Sequence, residues 1–170
     1  MYYYSLNEYL KNTFGEKVYK ISLDGGMTCP NRDGKIDTRG GIFCSRGGSG
    51  EFSADRNHSI TEQIREAKER IGRKTDCKKF IAYFQPFTNT YAPVEYLEKI
   101  FTEAIEPDEI VALSVATRPD CLPDKTVNLL SRLNKIKPVW VELGLQTVHK
   151  STADYIRRGY DLNVYDDAVK

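Results

Sequence analysis

Short apolar runs alternate with amphipathic helical patterns along this chain, and that rhythm restricts its fold more than any other feature. Residues 17–24, "KVYKISLD", are rich in Val, Tyr and Ile and read as a strand. Residues 59–72 read as a helix: Ser59 and Glu62 form a capping-box pair, Ile60, Ile64, Ala67 and Ile71 share one face, and Gly72 ends it. The pattern repeats as strand 79–85, helix 92–105 with Pro93 near its first turn, strand 109–117, helix 122–136, strand 138–147 and a short helix 150–159; residues 163–170 then begin another element. Such alternation predicts a parallel sheet of right-handed βα units. The near-continuous apolar strands suit a sheet covered on both faces.

No linker or low-complexity stretch divides residues 1–170, which are therefore expected to form one domain. A net charge of +1 gives no global reason to expect nucleic acid or an acidic membrane surface, although a local basic patch is compatible with it. No run is long and apolar enough for a membrane span. The opening "MYYYSLNEYLKNTFG" lacks the basic start and apolar middle of a signal peptide, so a cytoplasmic location is expected. In that compartment the four cysteines, Cys29, Cys44, Cys77 and Cys121, are better read as thiols or ligands than as disulfides.

One long stretch, from Gly25 to about Asn57, breaks the rhythm. Loops of that length inside a compact domain are usually functional or disordered. This one leaves the C-terminal end of the first strand, where βα architectures build their sites. It carries Cys29 and Cys44. Two cysteines at this separation are compatible with a metal site and equally with two unrelated buried thiols.

Four segments add to this reading: "SLDGGMTCPNRDG", "IFCSRGGSGEF", "SVATRPDCLP" and "VELGLQTVHKSTADYIRRGYD". In order and spacing they resemble the radical SAM superfamily, and within it the YhcC-like proteins, relatives of the elongator catalytic subunit. The resemblance implies a partial parallel (β/α) barrel of about four βα units. It implies a 4Fe–4S cluster held by three cysteines, with S-adenosyl-L-methionine on the remaining iron. In such proteins reduction of the cluster cleaves S-adenosylmethionine to a 5′-deoxyadenosyl radical, which takes a hydrogen atom from the substrate. An external electron donor such as a flavodoxin or ferredoxin is implied too, and the elongator kinship leaves RNA open as a partner. By the same resemblance Cys29 is the first cluster ligand and Cys44 the third. The second falls at Gly41, where "RGGIFC" stands in place of the family's "RGCIFC" or "GGCTFC". Glycine offers iron nothing, so the cluster is expected to be labile or absent, and Gly41→Cys to restore it, at least in a chain extended to full length. Cys121, on the same rim, is a substitute ligand or, with Cys29 and Cys44, a zinc ligand in the least favoured alternative. Cys77, at the opposite rim, reads as structural.

The resemblance and the strand-end positions nominate further residues. Phe43 is expected beside the adenine. "YFQPFTNTY" replaces the family's usual "GGE", leaving Gln85 or strand-end carbonyls for the methionyl amino group, with Thr90 and Tyr91 toward the substrate. Thr117 and Arg118 end the third strand, and Glu142 and Gln146 lie on or after the fourth; all four are expected at the mouth. Glu142, within an apolar strand, needs a partner such as Arg118 or a bound ammonium. Arg157 or Arg158 is nominated for the cofactor carboxylate, and His58 and His149 for surface or capping roles. Four strands fall short of a complete core of this type, so the chain is expected to be the N-terminal part of a longer one, with the fourth strand an open edge. Two functions follow: a radical SAM enzyme impaired by Gly41 and by truncation, or a non-enzymatic half-barrel that binds a protein, nucleotide or RNA.

Overall fold

The computed structural model describes residues 3–170. Helix α1 (Leu6–Phe14) precedes strand β1 (Val18–Leu23). Then come α2 (Ile60–Gly72), β2 (Lys79–Phe84), α3 (Val94–Ile105), β3 (Ile110–Thr117), α4 (Asp124–Asn134), β4 (Val139–Leu143), α5 (Lys150–Tyr155) and α6 (Leu162–Val169). The four strands pair in parallel in the order β1-β2-β3-β4, as the βα rhythm predicts. Between β2 and β3 the register slips at Phe80/Ile81, so that Phe80 faces Ile110 and Ile81 faces Ala112.

Local chemistry sets the element ends. Ser59 caps α2 through a full capping box with Glu62. β4 stops at Leu143 because Gly144 follows and Gln146 takes a left-handed φ of 65°. α5 ends at Tyr155, short of the expected 159, because Arg157 (φ 58°) and Gly159 (φ 79°) turn the chain out of the helix. The sequence reading missed α1. Its signals are modest: Ser5 accepts a hydrogen bond from the Glu8 amide, and Gly15 closes the helix at φ 79°.

The two sheet faces differ, which corrects the expectation of apolar cover on both. Ile21, Leu23, Phe80, Phe84, Leu113 and Val115 meet Leu97, Ile100, Phe101, Leu129 and Leu133 of α3 and α4 in the main core. Phe84 and Phe101 pack edge to face, with ring centroids 4.9 Å apart. Fully burying such a side chain contributes roughly 1.5–3 kcal/mol. On the other face, α1 covers only the N-terminal end of the strands, packing Leu10 and Phe14 with Val18, Ile81, Ala112 and Trp140. Beyond that plug the face turns polar, with Lys20, Ser22, Tyr83, Gln85, Ser114 and Glu142. No helix among the described residues is long and apolar enough to cross a membrane.

Candidate functional site

The long loop after β1 is irregular but internally bonded. Gln63, fully buried on α2, pins its start by accepting from the Asp24 amide and donating to the Asp24 and His58 carbonyls. The Cys29 carbonyl accepts from the Arg32 amide at 2.8 Å, and the Asn31 carbonyl from the Gly40 amide at 2.7 Å. Arg32 donates through Nη2 to the carbonyls of Cys44 and Ser45, which draws the two ends of the cysteine segment together. The Asn31 side chain donates to the Arg157 carbonyl at 2.7 Å, and the Ile42 amide to the Ile156 carbonyl at 3.3 Å. The cysteine loop is thereby tied to the turn after α5.

Between this loop and the C-terminal strand ends lies a cavity of about 370 Å³. Cys29, Gly41 and Cys44 line it, with Phe43, Gln85, Thr117, Arg118, Glu142 and Gln146. The candidates nominated from dispersed segments thus share one space. Four non-glycine residues among those described have a left-handed φ: Ser49, Phe87, Gln146 and Arg157. All four line this cavity, and such strain clusters at functional sites.

Several expected partnerships are corrected. Glu142 does not pair with Arg118. Its carboxylate accepts from Lys20, from Ser114 Oγ at 2.6 Å and from Tyr83 Oη at 3.2 Å. Burial works to raise the Glu142 pKa, but the Lys20 and Ser114 hydrogen bonds outweigh it and hold it below the usual carboxylate value. Burial, then the Glu142 charge, pushes the Tyr83 hydroxyl up to about 12. Arg118 instead makes a two-pronged pair with Asp120, at 2.9 and 2.8 Å, and donates to the Arg158 carbonyl. Gln85 is engaged at both ends, by Ser22 Oγ and the Ser49 carbonyl. Thr117 bonds to Thr90, whose hydroxyl also reaches the Cys121 carbonyl. Phe43 stands half exposed at the mouth.

Thr90, Tyr91 and Cys121 line a separate cavity of about 620 Å³, with Lys35 and Asp120. The Cys121 thiol is buried there, and burial, reinforced by the Asp120 charge, pushes its pKa up to about 12. Among the described residues no three His, Cys, Asp or Glu side chains converge as metal donors. The substitution of Cys121 into the cysteine pair, as cluster or zinc ligand, therefore lacks a geometric basis. Cys77 sits at the opposite end of the sheet, donating to the Lys17 and Lys79 carbonyls. His58 Nδ1 lies 3.0 Å from a Glu66 carboxylate oxygen, and His149 precedes α5 without a side-chain cap bond.

Gly41 is the telling position. A Cβ built on it falls 3.3 Å from Cys44 Sγ and 3.6 Å from the Phe43 ring. Its backbone is not left-handed, unlike that of Gly40 at φ 74°. A side chain at 41 therefore starts beside the Cys44 thiol without backbone strain. Two thiols and a glycine do not make up the three-thiolate set that the sequence resemblance leads one to expect for a 4Fe–4S cluster. The sequence reading missed Lys20, Tyr83 and Ser114, the partners of Glu142, and Asn31, which anchors the loop. The strand polar residues carried a signal, since Lys20 and Ser22 alternate with Ile21 and Leu23.

No protein-family model matches the chain. It is 49% identical over 167 residues to the uncharacterised protein YtqA of Bacillus subtilis, covering 98% of this chain and 52% of that protein. It is 40% identical over 157 residues to YhcC of Escherichia coli K12, covering 92% and 50%. The uncharacterised protein MJ0486 of Methanocaldococcus jannaschii is 34% identical over 166 residues, covering 95% and 50%. The chain is thus related to YtqA/YhcC-like proteins and spans about half the length of the curated relatives it matches. Among solved structures, Elp3 of Methanocaldococcus infernus, with an N-terminal deletion, superposes with a TM-score of 0.58 at 18% identity, covering 89% of this chain and 34% of that one. That likeness is one of fold, and it fits a partial parallel barrel.

Proposed function

We propose that this chain is a radical SAM-type protein whose rim cavity accommodates S-adenosylmethionine, and whose capacity to hold a 4Fe–4S cluster is impaired by Gly41. In a competent protein of this type, Cys29, a cysteine at position 41 and Cys44 would hold three irons, and an external flavodoxin or ferredoxin would supply electrons. One observation carries the reading: a side chain at 41 begins 3.3 Å from Cys44 Sγ, in the cavity that Cys29 also lines. The Elp3 fold and the kinship to YhcC and YtqA support it. Gly41 itself favours a second reading, a non-enzymatic half-barrel that keeps the cavity for ligand binding. Anaerobic reconstitution with iron and sulfide, followed by electron paramagnetic resonance of the reduced Gly41→Cys variant, separates the two. A 4Fe–4S signal that shifts when S-adenosylmethionine is added supports the first reading; a variant that reconstitutes without any such shift counts against it.

A further inference from the structure

The second cavity, of about 620 Å³, shares no lining residue with the rim cavity. A hydrogen-bonded pair helps to part them: Thr117 lines the rim cavity, Thr90 the second one, and the two hydroxyls bond to each other. The loop between β2 and α3 supplies Tyr91, Ala92 and Pro93, and the loop between β3 and α4 supplies Pro119, Leu122 and Pro123. The cysteine loop adds Lys35. The polar groups of these walls are already engaged. Thr90 bonds to Thr117 and to the Cys121 carbonyl. Both Asp120 carboxylate oxygens accept from Arg118. The Tyr91 hydroxyl is turned to Asp33, whose hydrogen bond raises its pKa. Burial keeps the Cys121 thiol protonated. Lys35 differs. Its ammonium stands 5.3 Å from the centre of the Tyr91 ring and makes neither a hydrogen bond nor an ion pair among the described residues. What Asp33 accepts from is the Lys35 backbone amide.

We infer that this second cavity binds a small monocarboxylate with a flat aromatic body, its ring against Tyr91 and the prolines and its carboxylate on Lys35. The engaged walls set the body: a ligand rich in hydroxyls or amides would leave them unpaired there, which costs binding energy. The charge count sets the anion. With Asp120 neutralised by Arg118, one unmatched ammonium suits one negative charge, and lysine offers it as a point charge. Tyr91 presents an aromatic face, which favours stacked or edge-on contact with another ring. The Cys121 sulfur adds a polarisable contact. The volume lies within the usual range for small-ligand sites. Lys35 falls between Cys29 and Cys44 in the chain, so an occupant bridges the cysteine loop to the loops after β2 and β3. The inference needs no cluster and does not depend on the S-adenosylmethionine reading, which concerns the rim cavity.

The test is amide-resolved NMR titration of the chain at low salt with phenylacetate, phenylacetamide and acetate. Phenylacetate is expected to shift the amides of Lys35, Tyr91, Cys121 and Leu122 and to leave those of Phe43 and Cys44 in place. Phenylacetamide, which keeps the ring and lacks the charge, is expected to bind about threefold to fivefold more weakly, the range of an exposed ion pair. Acetate, which lacks the ring, is expected to lose at least about tenfold, or about 1.4 kcal/mol. Lys35→Gln should bring phenylacetate down to the affinity of the amide and leave phenylacetamide unchanged, which also shows that the variant is folded. Tyr91→Ala should weaken both aromatic probes, and Tyr91→Phe, which keeps the ring, neither. Absence of a saturable shift, shifts centred on Phe43 and Cys44, equal affinity for the acid and the amide, or binding indifferent to Lys35→Gln overturns the inference. None of these outcomes bears on cluster or S-adenosylmethionine binding at the rim.

Discussion

Adjacent residues in the cysteine loop carry opposite constraints. Gly40 needs its left-handed φ, and a Cβ there meets the Arg32 guanidinium at 3.0 Å. Gly41 lacks the left-handed φ, although a Cβ there sits 3.3 Å from Cys44 Sγ and 3.4 Å from the Ile156 carbonyl oxygen. Gly40→Ala is therefore expected to lower stability by about 1–2 kcal/mol, and Gly41→Ala to cost less; paired denaturant melts check this. Glu142 sets a pH dependence. Its folded pKa lies below the ordinary carboxylate value, so its contribution is present above about pH 4.3 and fades as pH falls through the folded pKa. Glu142→Gln should therefore melt below the parent at neutral pH, with the gap closing as the pH falls. A gap that widens on acidification would contradict the Lys20 pairing. Cys121, buried and with its thiol pushed up to about 12, is expected to alkylate more slowly at pH 8 than Cys29 or Cys44, as mass mapping after brief iodoacetamide treatment would read.

At the scale of elements, stability and legibility share a cause. Helix α2 has a reciprocal cap, so Ser59→Ala is expected to cost about 1 kcal/mol and lower the melting temperature by roughly 2–4 °C. An unchanged melt would mean that Ile60 and Ile64, buried against the sheet, hold the helix without the cap. That same cap, with the apolar period behind it, made α2 readable from residues alone. The strands β1 to β3 were readable for a similar reason, since their core-facing apolar residues dominate local composition. α1 was legible too, from its Ser5 cap, its Gly15 stop and Leu6, Leu10 and Phe14 at helical spacing, although Leu10 is its one buried side chain. The strand-end location of the site was legible, because the long loop interrupts the βα rhythm there. The partner of Glu142 was not. Lys20 lies on β1, with two strands between it and β4, and the β1-β2-β3-β4 order lets its side chain reach across Tyr83 to Glu142.

Taken whole, the molecule is a four-stranded parallel sheet with α3 and α4 packed on one face, α1 plugging the N-terminal end of the other, and a cavity at the C-terminal rim. Residues from the β1 loop, from the ends of β2, β3 and β4, and from the turn after α5 meet there. The rim geometry supports the central proposal, that position 41 is a cluster-ligand position occupied by glycine. A loop already braced by Asn31, Arg32 and the α5 turn has less ordering entropy left to lose on binding iron, so one added thiol should suffice to change the outcome. The direct measurement is iron and sulfide bound per chain after anaerobic reconstitution, for the parent and for Gly41→Cys prepared side by side. The account predicts substoichiometric, easily lost iron in the parent and close to a full cluster in the variant. A variant that folds as the parent does, yet binds no more iron, would contradict it.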